Sequence, residues 1–320
     1  MHNIDPAWTR RLRTAPVDVM LQDELNHPSL VALNYRLKKQ IPYPTVAVVH
    51  HLRGSESHPA LLVKPYRWIE RLYVNSVDGF IFNSRTTQAS VEALLRTPKP
   101  AIVAYPAADH LPGPAMDMAE VTARAHLPGP LRILFVGNVI PRKGLHTLLA
   151  ALRALDSIDW HLTVAGRLDA APAYVAQLRQ QAGQLALRDH VAWLGPVSDE
   201  ALAGLYRQHH LLAVPSYEGF GIVYLEAMRF GLPVLATTAG AAHEIVTHGH
   251  NGFLVAPGAA VPIASAIEQL AYDRQLLLAM SMAALRRYQQ HPSWEASMGQ
   301  ARAWLHAFVH SHHPSAQPRL

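Results

Sequence analysis

Short apolar runs alternate along the chain with longer stretches in which apolar residues recur every three or four positions. The first runs are VDVML (17–21), TVAVV (45–49), GFIF (79–82) and AIVA (101–104). Beyond residue 130 they are LRILFVG (131–137), WHLTVAG (160–166), VAWLG (191–195), LLAVP (211–215), PVLAT (233–237) and GFLVAP (252–257). Runs of this kind predict strands, and the stretches between them predict helices. Their alternation predicts an α/β fold with parallel sheets that are covered by helices.

A segment rich in proline and glycine separates the two series of strands. We interpret LPGPAMDMAEVTARAHLPGP (111–130) as an interdomain linker that holds at most one short helix. The predicted domains are therefore 1–128 and 129–290, two Rossmann-like halves that face each other across a cleft. A helix within 291–310 is expected to pack back across that cleft, and 311–320 is expected to be a tail without regular structure.

Composition narrows the class of protein. The 320 residues carry a net charge of +5 with no cysteine, which excludes disulfides and thiolate metal sites. No apolar stretch reaches the roughly 18 residues of a membrane span, and the chain start lacks a signal-peptide pattern, so a cytoplasmic protein is predicted. The basic balance suits anionic ligands and peripheral contact with the inner face of a membrane. Only 16% of residues are charged, with no dense basic run, which argues against nucleic acid.

Ligands of doubly wound sheets bind outside the carboxyl ends of the strands, so the loops there are the candidate sites. After 131–137, Gly137 permits a tight turn, and Arg142 and Lys143 offer cations suited to a diphosphate. Two solvated surface cations are the equally frequent alternative. In PSYEGFGIVYLEAM (215–228) a helix is predicted to start near Gly221. The backbone amides of Phe220, Gly221 and Ile222 are therefore expected to hold an anion.

Two carboxylates flank this turn. Glu226 lies about five residues into the predicted helix, within reach of a ribose if a diphosphate occupies the helix start, and a carboxylate accepts hydrogen bonds from hydroxyls. Glu218 precedes the turn and is expected near the sugar. The alternatives are an acid favoured near a helix N-terminus for Glu218 and a solvated position for Glu226. The apolar helix around Glu226, with no obvious cationic neighbour in sequence, favours a functional role there.

These residues resemble a known family. PSYEGFGIVYLEAMRFGLPVLAT is similar to the Glu-x7-Glu signature of the retaining glycosyltransferases of family 4, the "group 1" family with the GT-B fold, and the resemblance continues over about 131–258. It implies that Arg142 and Lys143 bind the donor diphosphate, Glu226 the ribose and Glu218 the donor sugar. It further implies that the Phe220–Ile222 amides hold phosphate and sugar, with the base at the loop of Gly195 and Val197.

The N-terminal half resembles the family less specifically. VAVVHHLRG (46–54) is similar to the strand and loop that bring a histidine to the donor sugar, and His50 aligns best with that histidine. His51 is the competitor, because alternation along a strand sends the two side chains in opposite directions. The histidines show no metal-like helical pair, so no metal is predicted. No cofactor is expected beside the nucleotide diphosphate sugar, which would act as donor substrate.

The chain also departs from the family pattern at its beginning. The family opens with a strand and a glycine-rich loop, whereas this chain opens with WTRRLRT and VDVML, so a reduced N-terminal domain is predicted. One edge of its sheet would then lack a neighbouring strand, and exposed edges favour pairing with a partner chain. A true start further upstream, or a reduced non-catalytic relative, are the alternatives.

Three functions are compatible with these patterns. The first is a glycosyltransferase that moves a hexose-like unit from a nucleotide diphosphate sugar to a sugar or lipid-linked acceptor in glycoconjugate synthesis, with the retention of configuration that the resemblance implies. The second is a non-catalytic nucleotide-sugar-binding or regulatory subunit. A sugar-nucleotide epimerase is disfavoured because the Glu-x7-Glu turn fits the transferases better. No Asp-x-Asp motif occurs, so cations and amides are expected to stabilise the departing diphosphate.

Overall fold

The computed structural model describes residues 6–55, 60–184 and 187–312. Its helices are α1 Pro6–Arg13, α2 His27–Leu37, α3 Ala60–Ser76, α4 Arg85–Glu92, α5 Met118–Ala125, α6 Leu145–Leu152, α7 Pro172–Gln184, α8 Asp199–Gln208, α9 Ile222–Arg229, α10 Ala260–Tyr272, α11 Arg274–Gln289 and α12 Trp294–His312. Its strands are β1 Met20–Asp23, β2 Thr45–Val49, β3 Gly79–Phe82, β4 Ala101–Val103, β5 Leu131–Val136, β6 Trp160–Ala165, β7 Val191–Gly195, β8 Leu211–Ala213, β9 Val234–Thr237 and β10 Gly252–Val255. The chain forms two compact units, Met1–Pro106 with Trp294–Leu320, and Ala107–Ser293.

The first unit contains a parallel sheet in the order β1-β2-β3-β4. One face packs on the helices between the strands, with Tyr73, Val77 and Phe80 fully buried in that core. The other face packs on α12, where Ala301 and Phe308 join a smaller cluster with strand residues. Burial on both faces explains why β2 and β3 are continuous apolar runs.

The second unit contains a parallel sheet in the order β10-β9-β8-β5-β6-β7. The strand order reverses where β5 and β8 lie side by side, with Ile133 paired to Leu211 and Leu134 to Leu212. All four side chains are fully buried. Such a reversal leaves a crevice at the carboxyl ends of the two strands, which is the usual ligand position in this architecture.

The predicted strands are all present, and β1 differs most in its bounds. It covers Met20–Asp23, whereas the pattern predicted 17–21. Val17 is 46% exposed and lies outside the strand. Gln22 extends the strand because its buried side chain exchanges hydrogen bonds with Asn34 at 2.8 and 3.0 Å. A polar residue with a buried partner carries no apolar signal, so the pattern missed it.

The segment 111–130 is an integral part of the second unit. It contains α5, which starts at a capping box between Asp117 and Glu120. Arg124 on α5 is buried and donates hydrogen bonds to the carbonyl oxygens of Phe230 and Gly231 at 2.7 and 2.6 Å. The compact units therefore separate at 106/107, which differs from the predicted boundary at 128/129.

The C-terminal helix extends beyond its predicted end. It covers Trp294–His312 and belongs to the first unit, so this unit is built from both ends of the chain. The segment predicted as a tail, 311–320, contributes its first two residues to the helix. From 313 onward it lies outside the described residues.

Candidate active site

The loops after β5 and β8 touch at the carboxyl edge of the second sheet. Gly144, in the first loop, has a φ of +72°, and a Cβ there would lie 2.2 Å from the carbonyl oxygen of Pro215 in the second loop. L-residues other than glycine rarely adopt this conformation, and here the space is also filled by backbone. Gly144 therefore permits the close approach of the two loops that carry the predicted site residues.

The two predicted cations lie beside one of the two predicted carboxylates. Lys143 Nζ is 2.5 Å from Glu218 Oε1, and Arg142 Nη1 is 3.9 Å from Glu218 Oε2. Arg142 also donates to the Tyr217 carbonyl oxygen at 2.6 Å. The Lys143 stem runs over Gly137, where a Cβ would lie 3.4 Å from Lys143 Cε. The side chains of Lys143 and Glu218 are only 14% and 13% exposed, so water screens their attraction weakly.

Glu218 is fixed by its neighbours on both sides. Ser216 Oγ donates to Glu218 Oε1 at 2.5 Å. The Glu218 backbone forms an isolated parallel bridge with Gly240 in the loop after β9, and the amide of Ala241 donates to its carbonyl oxygen at 2.9 Å. A carboxylate held through both its side chain and its backbone is preorganised for a binding role.

Helix α9 starts directly after Gly221, where the sequence predicted a helix start. Gly221 has a φ of +97° and immediately precedes α9, and a Cβ there would lie 2.4 Å from the Tyr224 ring. Phe220 is buried with its ring centroid 5.8 Å from that of His291, and Ile222 begins the helix half-buried. The first amides of a helix have no intrahelical acceptor, so this turn presents the positive end of α9 at the carboxyl edge of the sheet.

Glu226 occupies a buried position on α9, which corrects the alternative of a solvated helix position. It is 9% exposed, and the Tyr206 hydroxyl donates to its Oε2 at 2.8 Å. His110 Nε2 lies 3.6 Å from its Oε1, so the acid has an imidazole neighbour that the local sequence does not show. Burial raises the pKa of Glu226, while the Tyr206 hydrogen bond and His110 act in the opposite direction. Oε2 thus lies toward Tyr206 and Oε1 toward His110.

The loop predicted to bind the base follows β7. Gly195 closes this strand in the left-handed region with a φ of +74°, and Val197 is half-buried just before Ser198, which caps α8. Since β6 separates β7 from β5, this loop lies two strands away from Lys143 on the same edge of the sheet. The structure thus brings Gly137, Arg142, Lys143, Glu218 and the α9 turn together, with Val197 further along that edge.

The predicted histidine belongs to the first unit. His50 directly follows β2, with its side chain 46% exposed and Nε2 3.5 Å from Asp23 Oδ2. Its backbone is held firmly, because its amide donates to Glu24 Oε2 at 3.2 Å and its carbonyl oxygen accepts from Asn83 at 2.7 Å. His50 therefore presents a solvent-facing imidazole from a fixed backbone.

His51 lies in a different environment from His50. It is half-buried beside two buried carboxyl groups, those of Glu24 and Glu70. Burial raises the pKa of both, and His51 acts in the opposite direction. Glu70 also accepts from the Gly54 amide at 3.0 Å, so the two acids hold the loop that carries both histidines. This arrangement favours His50 over His51 as the histidine available to a ligand.

Residues 121–287 match the family model described as "Glycosyl transferases group 1". The match covers 167 of the 320 residues (287 − 121 + 1), which is more than half of the chain. The chain therefore belongs to the group 1 glycosyltransferase family, and the resemblance stated from the Glu218–Glu226 motif is confirmed.

Named relatives share about a third of the aligned residues. The chain is 31% identical to D-inositol 3-phosphate glycosyltransferase of Corynebacterium aurimucosum over 73% of this chain and 58% of that protein. It is 31% identical to a GDP-mannose-dependent α-(1-6)-phosphatidylinositol monomannoside mannosyltransferase of Mycobacterium tuberculosis over 54% of this chain and 46% of that protein. The chain thus spans roughly half the length of these curated relatives.

Solved structures share the fold. The Anabaena protein Alr3699/HepE, solved with UDP and glucose, superposes with a TM-score of 0.75 over 94% of this chain and 80% of that chain, at 23% identity. The likeness shows the fold, and the predicted GT-B class with two parallel sheets is confirmed.

Proposed function

We propose that this protein transfers a sugar from a nucleotide diphosphate sugar to an acceptor. The observation that carries the proposal is the convergence of Arg142, Lys143 and Glu218 beside the start of α9. Cations and helix-start amides are suited to a diphosphate, and the adjacent carboxylate is suited to sugar hydroxyls. The names of the relatives support it, since both are glycosyltransferases and one depends on GDP-mannose.

The buried acid gives the donor a second anchor. Glu226 has one oxygen engaged by Tyr206, which leaves Oε1 as the acceptor for the two ribose hydroxyls. The half-buried Val197 would lie against the base at the neighbouring strand end. In this proposal Glu226 binds the ribose, Arg142 and Lys143 bind the diphosphate, and Glu218 binds the sugar.

Departure of the nucleoside diphosphate concentrates negative charge at Lys143 and the α9 turn. Groups already oriented toward that charge lower the barrier because they need little reorganisation as it develops. A metal ion is not required for this stabilisation, and metal-independent transfer is part of the proposal. Retention would follow if the departing phosphate assists the acceptor on the same face of the sugar, with His50 as the histidine that the family resemblance places at the donor sugar.

The setting of the reaction follows from the same proposal. Within the described ranges no helix is both long and apolar enough to cross a bilayer. We place the activity in the cytoplasm, with peripheral contact at the inner face of the membrane, where lipid-linked acceptors in glycoconjugate synthesis would be reached.

Direct turnover tests the proposal. The full chain is incubated with GDP-mannose, UDP-glucose and other nucleotide sugars, with candidate acceptors and with or without EDTA, and the released nucleoside diphosphate is measured. We expect release from one donor, unaffected by EDTA, with retained anomeric configuration in the product by NMR. Glu218→Gln should abolish release, whereas the exposed control Glu92→Gln should not. The absence of binding and release with every donor would contradict the proposal.

A further inference from the structure

An apolar cavity of about 460 Å³ lies inside the first unit, at the carboxyl ends of β2 and β3 and along the first half of α12. Its walls are Leu21, Val48 and Ile81 from the sheet and Trp294, Met298 and Leu305 from the helix. Its size falls in the range of cavities that hold small ligands.

The helix wall is part of a regular apolar stripe. Trp294, Met298, Ala301, Leu305 and Phe308 recur at spacings of four and three residues, which places them on one face of α12. Ala301 and Phe308 are buried against the sheet, whereas Trp294 and Met298 are each 37% exposed. The N-terminal end of the apolar stripe, at Trp294 and Met298, therefore remains partly exposed to solvent.

The facing wall of the sheet is partly exposed as well. Leu21, on β1, is 51% exposed although it lines the same cavity. Apolar surface on two facing walls gains free energy when an apolar group fills the space between them.

The polar groups of the cavity are His50, Asn83 and Arg302. Asn83 is engaged by its hydrogen bond to the His50 carbonyl oxygen. Arg302 is exposed, and among the described residues no hydrogen-bond or ion-pair partner contacts it. The cavity thus combines apolar walls with an imidazole and with a cation that no acid of the described ranges neutralises.

We propose that this cavity binds the apolar chain of an amphiphilic acceptor, with the anionic group of the acceptor at Arg302 and its polar end at His50. This assignment rests on the proposed transferase function and adds the class of acceptor to it. A purely hydrophilic glycan fits poorly, because its hydroxyls would face Leu, Trp and Met side chains without partners. An alkyl or prenyl chain gains from burial on the same walls.

Farnesyl phosphate, a short amphiphile, is the probe for a test on the full chain below its micelle concentration. Binding is followed by calorimetry and by the fluorescence of Trp294, with Trp294→Phe identifying the signal. We expect saturable binding at one site, with farnesol weaker by about tenfold because it lacks the charge that Arg302 meets. Arg302→Ala should weaken farnesyl phosphate by a similar factor and leave farnesol unchanged.

The decisive variants place a negative charge in the apolar wall of the cavity. Met298→Glu and Leu21→Glu should each abolish binding, whereas Met118→Glu, which changes a 68% exposed methionine of the second unit, should not. Thermal unfolding of each variant checks that the fold persists, and the two cavity variants lie on different elements so that one failure to fold does not end the test.

Several outcomes would overturn the assignment. These are unchanged binding in both cavity variants, association with phosphatidylglycerol vesicles without saturable binding of the monomeric probe, or a dimer that Met298→Glu dissociates while no probe binds. Nucleotide binding is measured in parallel, because its residues lie in the second unit. Nucleotide binding without probe binding would reject the cavity alone, and probe binding without nucleotide binding or turnover would reject the transferase function alone.

Discussion

The ion pair between Lys143 and Glu218 places a cation and an anion 2.5 Å apart where the donor diphosphate is proposed to bind. An arriving phosphate would share Lys143 with Glu218 and would gain Arg142 as well. The cations therefore have two tasks, since they neutralise Glu218 when the donor is absent and would bind phosphate when it is present. Their removal also leaves Glu218 as an unpaired, poorly hydrated charge beside the phosphate.

Arg142→Ala combined with Lys143→Ala should weaken the binding of the nucleoside diphosphate by about 2–4 kcal/mol, because charge-assisted contacts contribute 1.5–3 kcal/mol each and neighbours are not additive. Calorimetry with UDP and GDP measures the change. The control is Arg153→Ala, an exposed cation at the end of α6. Equal affinities in the double variant and the wild type would remove these residues from the donor site.

The two glutamates should respond differently to amide substitution. Glu226→Gln should weaken free nucleotide and nucleotide sugar alike, since both carry the ribose. Glu218→Gln should keep or improve the affinity for free nucleoside diphosphate, because Lys143 is released from its partner, while sugar transfer falls. Calorimetry and turnover on both variants separate the two roles. Equal losses of diphosphate affinity in both would contradict the geometry.

At the site, the sequence predicted the two acids but not the side chains that contact Glu226. The positions of Glu218 and Glu226 followed from one local motif, and the structure places both at the carboxyl edge of the second sheet. Tyr206 and His110, the partners of Glu226, lie 20 and 116 residues from it in sequence (226 − 206 and 226 − 110). Nothing in the sequence around Tyr206 or His110 distinguishes them from other tyrosines and histidines, so their contacts with Glu226 could be found only from the three-dimensional structure.

At the scale of elements, the position of the site residues depends on the contact between the loops that follow β5 and β8. Gly144→Ala should destabilise the protein by more than the 1–2 kcal/mol of left-handed strain, because the new Cβ meets the Pro215 carbonyl. Gly258→Ala is the matched control, with a φ of +75° and nothing within 4 Å of the added Cβ. Urea unfolding and nucleotide titration of both variants measure the effect. Similar losses in the two would show that the loop contact contributes little.

The junction between α8 and β8 should make stability depend on pH. His209 and His210 are buried there, which lowers their pKa values from 6.5 to about 4 and about 3. His210 Nδ1 accepts from the Arg132 amide at 3.0 Å, so protonating that nitrogen would remove a link between β8 and β5. Depressed histidine pKa values give stability that is complete above pH 6.5 and is lost as pH falls toward the folded-state values.

Each histidine should therefore cost on the order of 2 kcal/mol between pH 6.5 and pH 5. Urea unfolding at pH 7 and pH 5 measures the loss. His210→Gln should reduce it, and the exposed control His126→Gln should leave it unchanged. An identical pH dependence in His210→Gln and the wild type would show that this histidine is not responsible.

Most elements were predictable because buried parallel strands are mainly apolar, as TVAVV and LRILFV show. The exceptions have specific causes. β1 continues into Gln22, whose polar side chain is paired inside the fold. The prolines and glycines on either side of the short helix α5 predict a linker, although the residues of its capping box, Asp117 and Glu120, are recognisable in the sequence.

At the scale of the whole molecule, the second unit should be independent. The segment 107–293 expressed alone should fold and bind the donor nucleotide without transferring sugar, because His50 and the apolar cavity are absent. A version that starts at 129 should be markedly less stable, since it lacks Arg124 and its hydrogen bonds to Phe230 and Gly231. Thermal unfolding and nucleotide titration compare the two. Equal stability of the two versions would show that residues 107–128 do not stabilise the second unit.

The return of the chain to the first unit has a consequence for biosynthesis. β1 to β4 emerge from the ribosome before the second unit, yet α12, which covers one face of their sheet, emerges after it. Throughout translation of Ala107–Ser293 that face, with Val46 and Ile81, has no native helix to bury it. The second unit can bury its core before α12 is made, whereas the first unit cannot cover both faces of its sheet until then. The nascent chain therefore exposes an apolar sheet face until α12 has been made, and during that interval a chaperone can bind there.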